Sequence, residues 1–331
     1  MIPQNIINKL KESKNIIILP HISADGDALG SSLALALALK KTAKNVRVYF
    51  EEEIPHLFTF LPGREIATKY SNPDNNPSEI PGGETVVALD TGDLERLGKR
   101  VEIFNNSSNK INIDHHPTNT HFAEINYVNP KAAATCEIVY ELIKELGIGL
   151  DNDIALCLYT GILTDTGGFK YSNTTSMTHS IVSELLNYQI DVPTISYRLF
   201  DAVSEEKLKL IGKAINSLEL FEDGKLALIT ITRNMLAETG ALDEDTEGII
   251  NYARNINGVE VAALFKENAE LGTKVSLRSK SYANVAEVAL KHSGGGHKNA
   301  AGCTINENPE EAKKIIINDL IKIINSHKTN C

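Results

Sequence analysis

The most chemically versatile side chains in this sequence stand together in Asp114-His115-His116-Pro117, directly after the alternating stretch Lys110-Ile111-Asn112-Ile113. Carboxylates and imidazoles bind metal ions, and imidazoles also carry protons near neutral pH. The alternation predicts a strand, and open α/β sheets place their chemistry beyond the carboxyl ends of their strands. This stretch is therefore predicted to be the seed of an active or metal-binding site.

Three other segments of the chain end an apolar element with acids or a histidine. Together with the first stretch they supply the candidate residues His21, Asp25, Asp27, Asp90, Asp114, His115, His116 and Asp165. Any one of them has an ordinary explanation, since an aspartate near a glycine is most often a turn residue. Asp165 differs, because the C-terminal end of a helix disfavours an anion unless a cation lies nearby. The joint occurrence of four such segments favours one shared site.

The types of these side chains indicate a particular chemistry. Imidazole and carboxylate ligands together suit manganese, iron or zinc, and the excess of carboxylates favours manganese. One transition ion does not need so many ligands, so the set fits two divalent ions bridged by a carboxylate better. Such two-metal sites hold an attacking hydroxide and stabilise the oxygens of an in-line phosphoryl displacement. The predicted chemistry is metal-assisted hydrolysis of a phosphate ester.

A second set of candidates lies near the end of the chain, at Arg278 and in Gly294-Gly295-Gly296-His297. Backbone N–H groups of glycine-rich loops bind phosphate, and a guanidinium group makes two-pronged contacts with phosphate oxygens. A flexible turn is the structural alternative for three consecutive glycines, and the sequence does not decide between the two. If the loop binds phosphate, it would supply a substrate-holding site apart from the metals.

The elements that position the first set form a predicted βαβ unit. Residues 15–20 are a predicted strand, and a polar loop leads into the run of alanine and leucine at 33–39. Strict alternation is typical of a strand, but alanine and leucine are strong helix formers and β-branched residues are absent, so a helix is predicted. The strand at 46–50 would then lie parallel to the first. With further strands at 85–89 and 111–116, three polar strand ends are expected to meet at one edge of a parallel sheet.

The remainder of the chain predicts a second domain. A surface loop is expected at 70–83, helices at 132–146 and 151–163, and a longer helix from Ser204 to about residue 220. After it come predicted strands at 226–232, 259–267 and 273–278, helices at 243–254, 285–291 and from about 309, and a glycine loop at 293–297. The predicted fold class is α/β, a parallel-sheet domain plus a smaller α/β domain. The predicted boundaries are 1–190 for the catalytic domain, 191–220 for a linker and connector helix, and 221–331 for the substrate-binding domain.

The composition is that of a globular chain, with 331 residues, 42% of them hydrophobic and 23% charged. A net charge of −10 argues against a protein that tracks long DNA or RNA, because such proteins carry a basic face. No apolar run reaches membrane-spanning length, and residues 1–5 lack the layout of a signal peptide, so no membrane partner and a cytoplasmic location are expected. The cysteines form no Cys-x-x-Cys pair, which disfavours a zinc ribbon or a redox motif.

At these residues the sequence resembles the DHH phosphoesterase superfamily over nearly the whole chain. The motifs that carry the resemblance are His21-x-x-x-Asp25-x-Asp27-Ala28-x-Gly30-Ser31, Leu89-Asp90-Thr91-Gly92-Asp93, Asp114-His115-His116-Pro117 and Leu163-Thr164-Asp165-Thr166-Gly167-Gly168-Phe169. The pair Arg278-Ser279 and the glycine run with His297 resemble the DHHA1 domain that follows in one branch of the superfamily.

The resemblance implies a role for each position. Two divalent ions, usually manganese, would be bridged by Asp90 and held by His21 and Asp25 on one side and by Asp27, His115 and Asp165 on the other. His116 would contact the substrate phosphate or aid the leaving group, and Asp114 would support the histidines from behind. A terminal phosphate or nucleotide would be held across an interdomain cleft by Arg278, Ser279, Gly294, Gly295, Gly296 and His297.

In length, the chain resembles the small two-domain members of the superfamily. These include nanoRNases that degrade very short RNA, phosphatases of 3′-phosphoadenosine 5′-phosphate (pAp), and cyclic di-AMP phosphodiesterases. The leading hypothesis is a manganese-dependent hydrolase of short oligoribonucleotides or dinucleotides such as pApA, and of pAp. A cyclic di-AMP phosphodiesterase is one alternative, and a nucleotide-binding sensor without catalysis is another. A long-strand exonuclease of the RecJ type is disfavoured by the acidic chain, and the oligomeric state, with a homodimer as one option, is left open.

Overall fold

The chain divides into two compact units, Met1–Ala202 and Val203–Cys331. The structure is a computed structural model that describes residues 2–70, 85–268 and 272–326. The segment assigned from the sequence to a linker and connector, 191–220, falls on both sides of this division. Most of the predicted surface loop at 70–83 lies outside the described residues.

The first unit is built on a parallel sheet of six strands in the order β3-β2-β1-β4-β5-β6. The strands are β1 (Asn15–Pro20), β2 (Asn45–Phe50), β3 (Ala67–Lys69), β4 (Thr85–Leu89), β5 (Asn109–Asp114) and β6 (Ile125–Val128). All five neighbouring pairs run parallel. Because β1, β4 and β5 are adjacent at the centre of the sheet, their carboxyl ends lie side by side, as the sequence predicted.

The helices of the first unit are α1 (Gln4–Glu12), α2 (Gly26–Lys40), α3 (Val101–Asn106), α4 (Thr135–Glu145), α5 (Asn152–Asp165), α6 (Ser176–Leu185) and α7 (Val192–Ser196). The predicted helix in the alanine–leucine run is confirmed as part of α2, which is buried on almost every side. Helix α2 packs closely against α5 because Gly161 has no side chain. A Cβ atom there would lie 2.2 Å from the Cys136 sulfur and 3.0 Å from an Asp27 carboxylate oxygen.

The second unit is built on a mixed sheet in the order β11-β12-β10-β9-β8-β7. Its elements are α8 (Glu205–Asn216), β7 (Glu219–Phe221), β8 (Leu226–Ile231), α9 (Arg233–Thr239), α10 (Ile250–Arg254), β9 (Val261–Asn268), β10 (Gly272–Ser279), α11 (Val285–Lys291), β11 (Gly295–His297), β12 (Ala300–Ile305) and α12 (Pro309–Asn325). Val275 and Leu277 face a core formed with α11 and α12, whereas Lys274, Ser276 and Arg278 alternate onto the other face.

Three predictions about the second unit were wrong in detail. The predicted helix at 243–254 is instead a short 3-10 helix at Asp243–Thr246 followed by α10 at Ile250–Arg254, because Glu247 has an extended backbone between them. The predicted helix up to about residue 220 ends at Asn216, because residues Glu219–Phe221 pair antiparallel with β8. The predicted glycine loop at 293–297 is largely strand β11, which pairs with β12 across the two-residue turn at 298–299. In the part of the chain that the structure describes, no helix has the length and apolarity needed to cross a membrane.

Candidate metal centre and substrate-binding face

The predicted metal ligands of the first unit come together at the carboxyl edge of its sheet. His21 directly follows β1, Asp90 directly follows β4, and Asp114 is the last residue of β5. Helix α2 begins beside them and α5 ends beside them, which brings in the other acids. The site is therefore made of strand ends and helix ends, as expected for an open parallel sheet.

His21 is a buried side chain that faces two carboxylates. Its Nδ1 lies 2.6 Å from the Ile22 carbonyl oxygen, and its Nε2 lies 3.8 Å from Asp25 Oδ1 and 3.6 Å from Asp90 Oδ2. Burial by itself disfavours the charged ring, but Asp25 and Asp90 outweigh burial and raise the pKa of His21 to about 10. The hydrogen bond at Nδ1 directs Nε2 into the cluster, which is the orientation that a metal-ligating histidine needs.

Asp25 and Asp27 are both fixed by backbone N–H groups at helix starts. Asp25 caps α2 by accepting hydrogen bonds from the N–H groups of Asp27 and Ala28, at 3.0 and 3.1 Å. Asp27 is 1% exposed and accepts from the N–H groups of Thr135 and Cys136, at 2.6 and 2.8 Å. Burial and the charges of neighbouring aspartates raise the pKa of Asp27. A bound cation would relieve this repulsion among acids.

Asp90 lies between the two halves of the cluster. Its Oδ2 is 3.6 Å from His21 Nε2, and its Oδ1 is 3.6 Å from His115 Nε2. It is 2% exposed, and its backbone has a positive φ of 55°, a conformation that aspartate tolerates better than most residues. Each carboxylate oxygen therefore faces a different histidine.

His115 and Asp165 complete the other half of the cluster. His115 Nδ1 lies 3.3 Å from the Ala132 carbonyl oxygen, so Nε2 points toward Asp165 Oδ2 at 3.4 Å and Asp27 Oδ2 at 4.0 Å. Burial raises the pKa of Asp165 to about 7, although the His115 charge acts in the opposite direction. The position of this acid at the end of α5 had suggested a neighbouring cation from sequence alone.

His116 and Asp114 form a separate pair beside the cluster. The Nδ1 atom of His116 lies 2.7 Å from Asp114 Oδ1, and this hydrogen bond raises the pKa of His116 while burial lowers it. Asn119 donates to the other Asp114 oxygen at 2.6 Å. Asp114 is completely buried, whereas the His116 side chain is 42% exposed. His116 therefore presents Nε2 outward from a fixed carboxylate partner.

Three combinations of these residues bring ligand atoms within 4.8 Å of one another, namely His21 with Asp25 and Asp90, Asp27 with His115 and Asp165, and Asp90 with His115 and His116. The first two combinations suit a cation, because each joins an inward-pointing Nε2 to carboxylates. The third is chemically weaker, since the His116 Nδ1 lies against Asp114 and acts as a hydrogen-bond donor there. The donor set thus fits divalent metal ions.

Thr135 and Asn119 are two positions that sequence reasoning missed. The Thr135 hydroxyl donates to Asp90 Oδ1 at 2.9 Å, and Asn119 also bonds Asn112 Oδ1 at 2.8 Å. A weak signal for Thr135 was present in the sequence. The alanines that precede α4 have no side chain able to cap the helix, so the first N–H groups of α4 need an acceptor from another part of the chain. Asn119 follows the proline turn and had no such signal.

The predicted substrate-binding residues of the second unit lie on neighbouring strands. Arg278 pairs with Ala300, and Ala300 pairs with His297 on its other side. Residues directly opposite one another in an antiparallel pair share a face, so the arginine and histidine flank one alanine. Arg278 is half-buried, and burial, followed by the charge of Arg254, lowers its pKa. We call the side chains of Lys274, Ser276, Arg278 and His297 the polar face.

The glycines and Ser279 have structural tasks in this arrangement. A Cβ atom on Gly294 would lie 2.2 Å from the Gly302 carbonyl oxygen, and one on Gly296 would lie 2.5 Å from the Ala300 carbonyl oxygen. Gly295 is exposed, with open space where a Cβ atom would be. Ser279 is buried on the opposite face of β10, where its hydroxyl accepts a hydrogen bond from Asn299 at 2.9 Å.

A cavity of about 680 Å³ adjoins the polar face. Its strand wall carries Lys266, Lys274 and Arg278, and its facing wall carries acids that include Asp243 and Glu247. Lys266 is already paired with Asp243 at 2.6 Å. Arg278 donates to the carbonyl oxygen of its own neighbour, Leu277, at 2.9 Å. The cavity is large enough for a small ligand and offers cations on one wall.

Two family models match this chain. Residues 15–162 match the N-terminal domain of the DHH family, and residues 226–326 match the DHHA1 domain. The first match contains the whole parallel sheet, and the second contains every strand of the other sheet except β7. The parallel sheet and its acid–histidine centre define the class of the protein as a metal-dependent phosphoesterase, which is a hydrolase.

Several known proteins align with this chain over most of their length. The chain is 37% identical to a bifunctional oligoribonuclease and PAP phosphatase NrnA of Thermus thermophilus, over 88% of this chain and 84% of the relative. It is 30% identical to the protein of the same name in Bacillus subtilis, over 98% and 99% of the two chains. A crystal structure of an exopolyphosphatase-related protein from Bacteroides fragilis superposes with a TM-score of 0.88 at 30% identity, covering 96% and 95%. The chain belongs to the DHH–DHHA1 phosphoesterase family.

Proposed function

We propose that this protein hydrolyses short oligoribonucleotides and pAp with the help of two divalent ions, most readily manganese. The observation that carries the proposal is that Asp90, which groups with His21 and Asp25, also directs its Oδ1 at His115 of the second ligand group, at 3.6 Å. Relatives of the same two-domain length are named oligoribonuclease and PAP phosphatase. In the expected arrangement, His21 and Asp25 hold one ion, Asp27, His115 and Asp165 hold the other, and Asp90 bridges them.

When bound, the ions would activate a water molecule and neutralise negative charge on the phosphoryl oxygens. The contribution of the protein would be to keep the side chains that bind these ions in fixed positions. Asp27 is fixed by two N–H groups and Asp25 by the first turn of α2, so neither carboxylate has to reorganise during the reaction. The burial of Asp27 and Asp90 also keeps bulk water away from the charges.

His116 is the proposed proton donor to the leaving oxygen. Its partial exposure lets a substrate reach Nε2, and the hydrogen bond from Nδ1 to Asp114 favours the protonated ring. General acids of this kind work best when their pKa lies near the working pH. Asp114, held by Asn119, acts on the substrate only through this histidine.

The polar face is the proposed binding site for the terminal phosphate of the substrate. Although the acid Glu247 also acts on half-buried Arg278, the charge of Arg254 acts on it more strongly, so the positive charges of Arg278 and Arg254 lie near each other here. A phosphate dianion would compensate both charges, and a guanidinium binds it in two-pronged fashion. His297 and the exposed backbone of Gly295 complete the proposed contacts, whereas Gly294, Gly296 and Ser279 support the hairpin and the turn beside them.

The test is a turnover assay of the purified chain with manganese on pApA, pAp and cyclic di-AMP. We expect hydrolysis of pApA and pAp, and loss of both activities when a chelator removes the metal. Turnover confined to cyclic di-AMP would replace this proposal with a cyclic dinucleotide phosphodiesterase. Binding of these nucleotides without any turnover would indicate a sensor and contradict the proposal.

A further inference from the structure

Helix α4 begins without a cap from its own sequence. Ala134 stands at the cap position and has no side chain that can accept a hydrogen bond. The N–H groups of Thr135 and Cys136 instead donate to the two oxygens of Asp27, which belongs to α2. The start of α4 is therefore built around a carboxylate of the metal centre, and the positive end of the helix dipole stabilises that anion.

The Thr135 side chain makes a second connection to the metal centre. Its hydroxyl donates to Asp90 Oδ1 at 2.9 Å, while its own N–H holds Asp27 Oδ2 at 2.6 Å. Thr135 is completely buried, so this hydroxyl does not exchange its partner for bulk water. One residue thus bonds to Asp27 of the second ligand group and to Asp90, which lies between the two groups.

The bond to Asp90 fixes a torsion that is otherwise soft. Rotation of an aspartate carboxylate about its last bond is broad rather than confined to sharp wells. In the structure Oδ1 faces His115 Nε2 and Oδ2 faces His21 Nε2, each at 3.6 Å. A donor fixed on Oδ1 keeps one oxygen directed at each histidine. That orientation is what a bridging carboxylate requires.

We propose that Thr135 is a positioning residue. Its hydroxyl orients the Asp90 carboxylate for bridging, and its backbone N–H holds the Asp27 carboxylate beside it. This inference rests on the two-metal function proposed above and assigns the bridge geometry to a residue that is not itself a ligand. The hydroxyl should matter for the Asp90 orientation, and the backbone N–H, which substitutions retain, should continue to hold Asp27.

The test compares Thr135→Val, which removes the hydroxyl at nearly constant shape, with Thr135→Ser, which retains it. Manganese binding is titrated calorimetrically without substrate, and paired ions are followed by their spin-coupled electron paramagnetic resonance signal. We expect Thr135→Val to weaken binding of at least one ion by about 10- to 100-fold and to reduce the coupled signal, and Thr135→Ser to bind within about threefold of the natural chain.

A matched control and a second variant make the result decisive. Thr160→Val removes another fully buried threonine hydroxyl, one that bonds only to Leu156 O of its own helix at 2.8 Å, and it should leave manganese binding unchanged. Thr135→Ala replaces Thr135→Val if the valine variant does not fold. The proposal would be overturned if the variant without the hydroxyl bound manganese with natural affinity and gave the natural spin-coupled signal. It would also be overturned if Thr135→Ser lost as much manganese affinity as Thr135→Val. Absence of turnover by the natural chain would reject the proposed function without changing this reading of manganese binding.

Discussion

The metal centre of the first unit and the polar face of the second unit hold their functional groups in opposite ways. In the metal centre, Asp27 and Asp90 are 1% and 2% exposed and are fixed by hydrogen bonds from α4. On the polar face, His297 is exposed and Arg278 is half-buried, with a hydrogen bond to a neighbouring backbone carbonyl. One region is rigid and rich in anions, and the other is open and rich in cations.

This difference indicates how each region contributes to function. Groups that must stabilise a transition state benefit from a fixed, dry environment, because no reorganisation is then needed during reaction. Groups that hold the remote end of a substrate affect binding before chemistry, and their loss appears mainly in KM. We therefore expect substitutions in the metal centre to lower kcat and substitutions on the polar face to raise KM.

The largest effect is expected for Asp90→Asn, because the amide removes both a charge and one proposed metal-binding oxygen from the position between the two ligand groups. We expect kcat/KM to fall by more than the roughly 100-fold that loss of a ligand's outer partner costs. Steady-state kinetics on pApA would measure it. Asp153→Asn, an exposed acid near the start of α5, serves as the charge-matched control and should stay within about twofold of the natural chain. Near-natural activity of Asp90→Asn would remove Asp90 from the mechanism.

Asp114→Asn should cost about 10- to 100-fold in kcat/KM and also change the pH profile. The hydrogen bond that His116 donates to Asp114 raises the pKa of His116, so its removal lowers that pKa. Since the protonated ring is the proposed donor, the loss of activity with rising pH should begin at lower pH in this variant. Glu124→Gln, which removes an exposed carboxylate, should keep the natural profile. If the activity of Asp114→Asn fell with rising pH at the same pH as that of the natural chain, His116 would not be the general acid.

Arg278→Gln should raise KM about tenfold for substrates with a terminal phosphate, which corresponds to the loss of a hydrogen bond to a charged group. The value of kcat should change little, and substrates without a terminal phosphate should be hydrolysed as by the natural chain. Arg233→Gln, at an exposed position of the same unit, controls for the loss of one positive charge. A fall in kcat with an unchanged KM would contradict the division of tasks between the two regions.

The last prediction concerns the release of protons when a metal ion binds. The pKa of Asp165 is raised to about 7 and that of His21 to about 10, so both residues hold a proton at pH 6. Each must lose it to bind a metal, so manganese affinity should rise with pH between pH 6 and 7, by about tenfold per unit for each proton released. Calorimetry in buffers of different ionisation enthalpy measures the release. Binding without proton release would contradict the combination of raised pKa values and metal ligation at these residues.

Much of the first unit was predictable because its signals are local. Apolar runs that end in acids or histidines predicted β1, β4 and β5, and helix propensity identified α2 despite its alternating pattern. In the second unit, local signals were misleading for Gly294–Gly296. Glycines indicate a turn, but here Gly294 and Gly296 allow the chain to approach β12 closely, which depends on Gly302 and Ala300 farther along the chain.

The sequence by itself determined which side chains are available and that they end adjacent parallel strands, because strand periodicity and strand direction are encoded locally. Tertiary structure alone decided which oxygen faces which nitrogen. Asp90 accepts a hydrogen bond from Thr135, which lies 45 positions away in the chain, and Asp27 acquires its two hydrogen bonds from a helix that has no cap of its own. Such contacts arise only when α2, α4 and the strand ends pack together, since no local pattern encodes the distance between them.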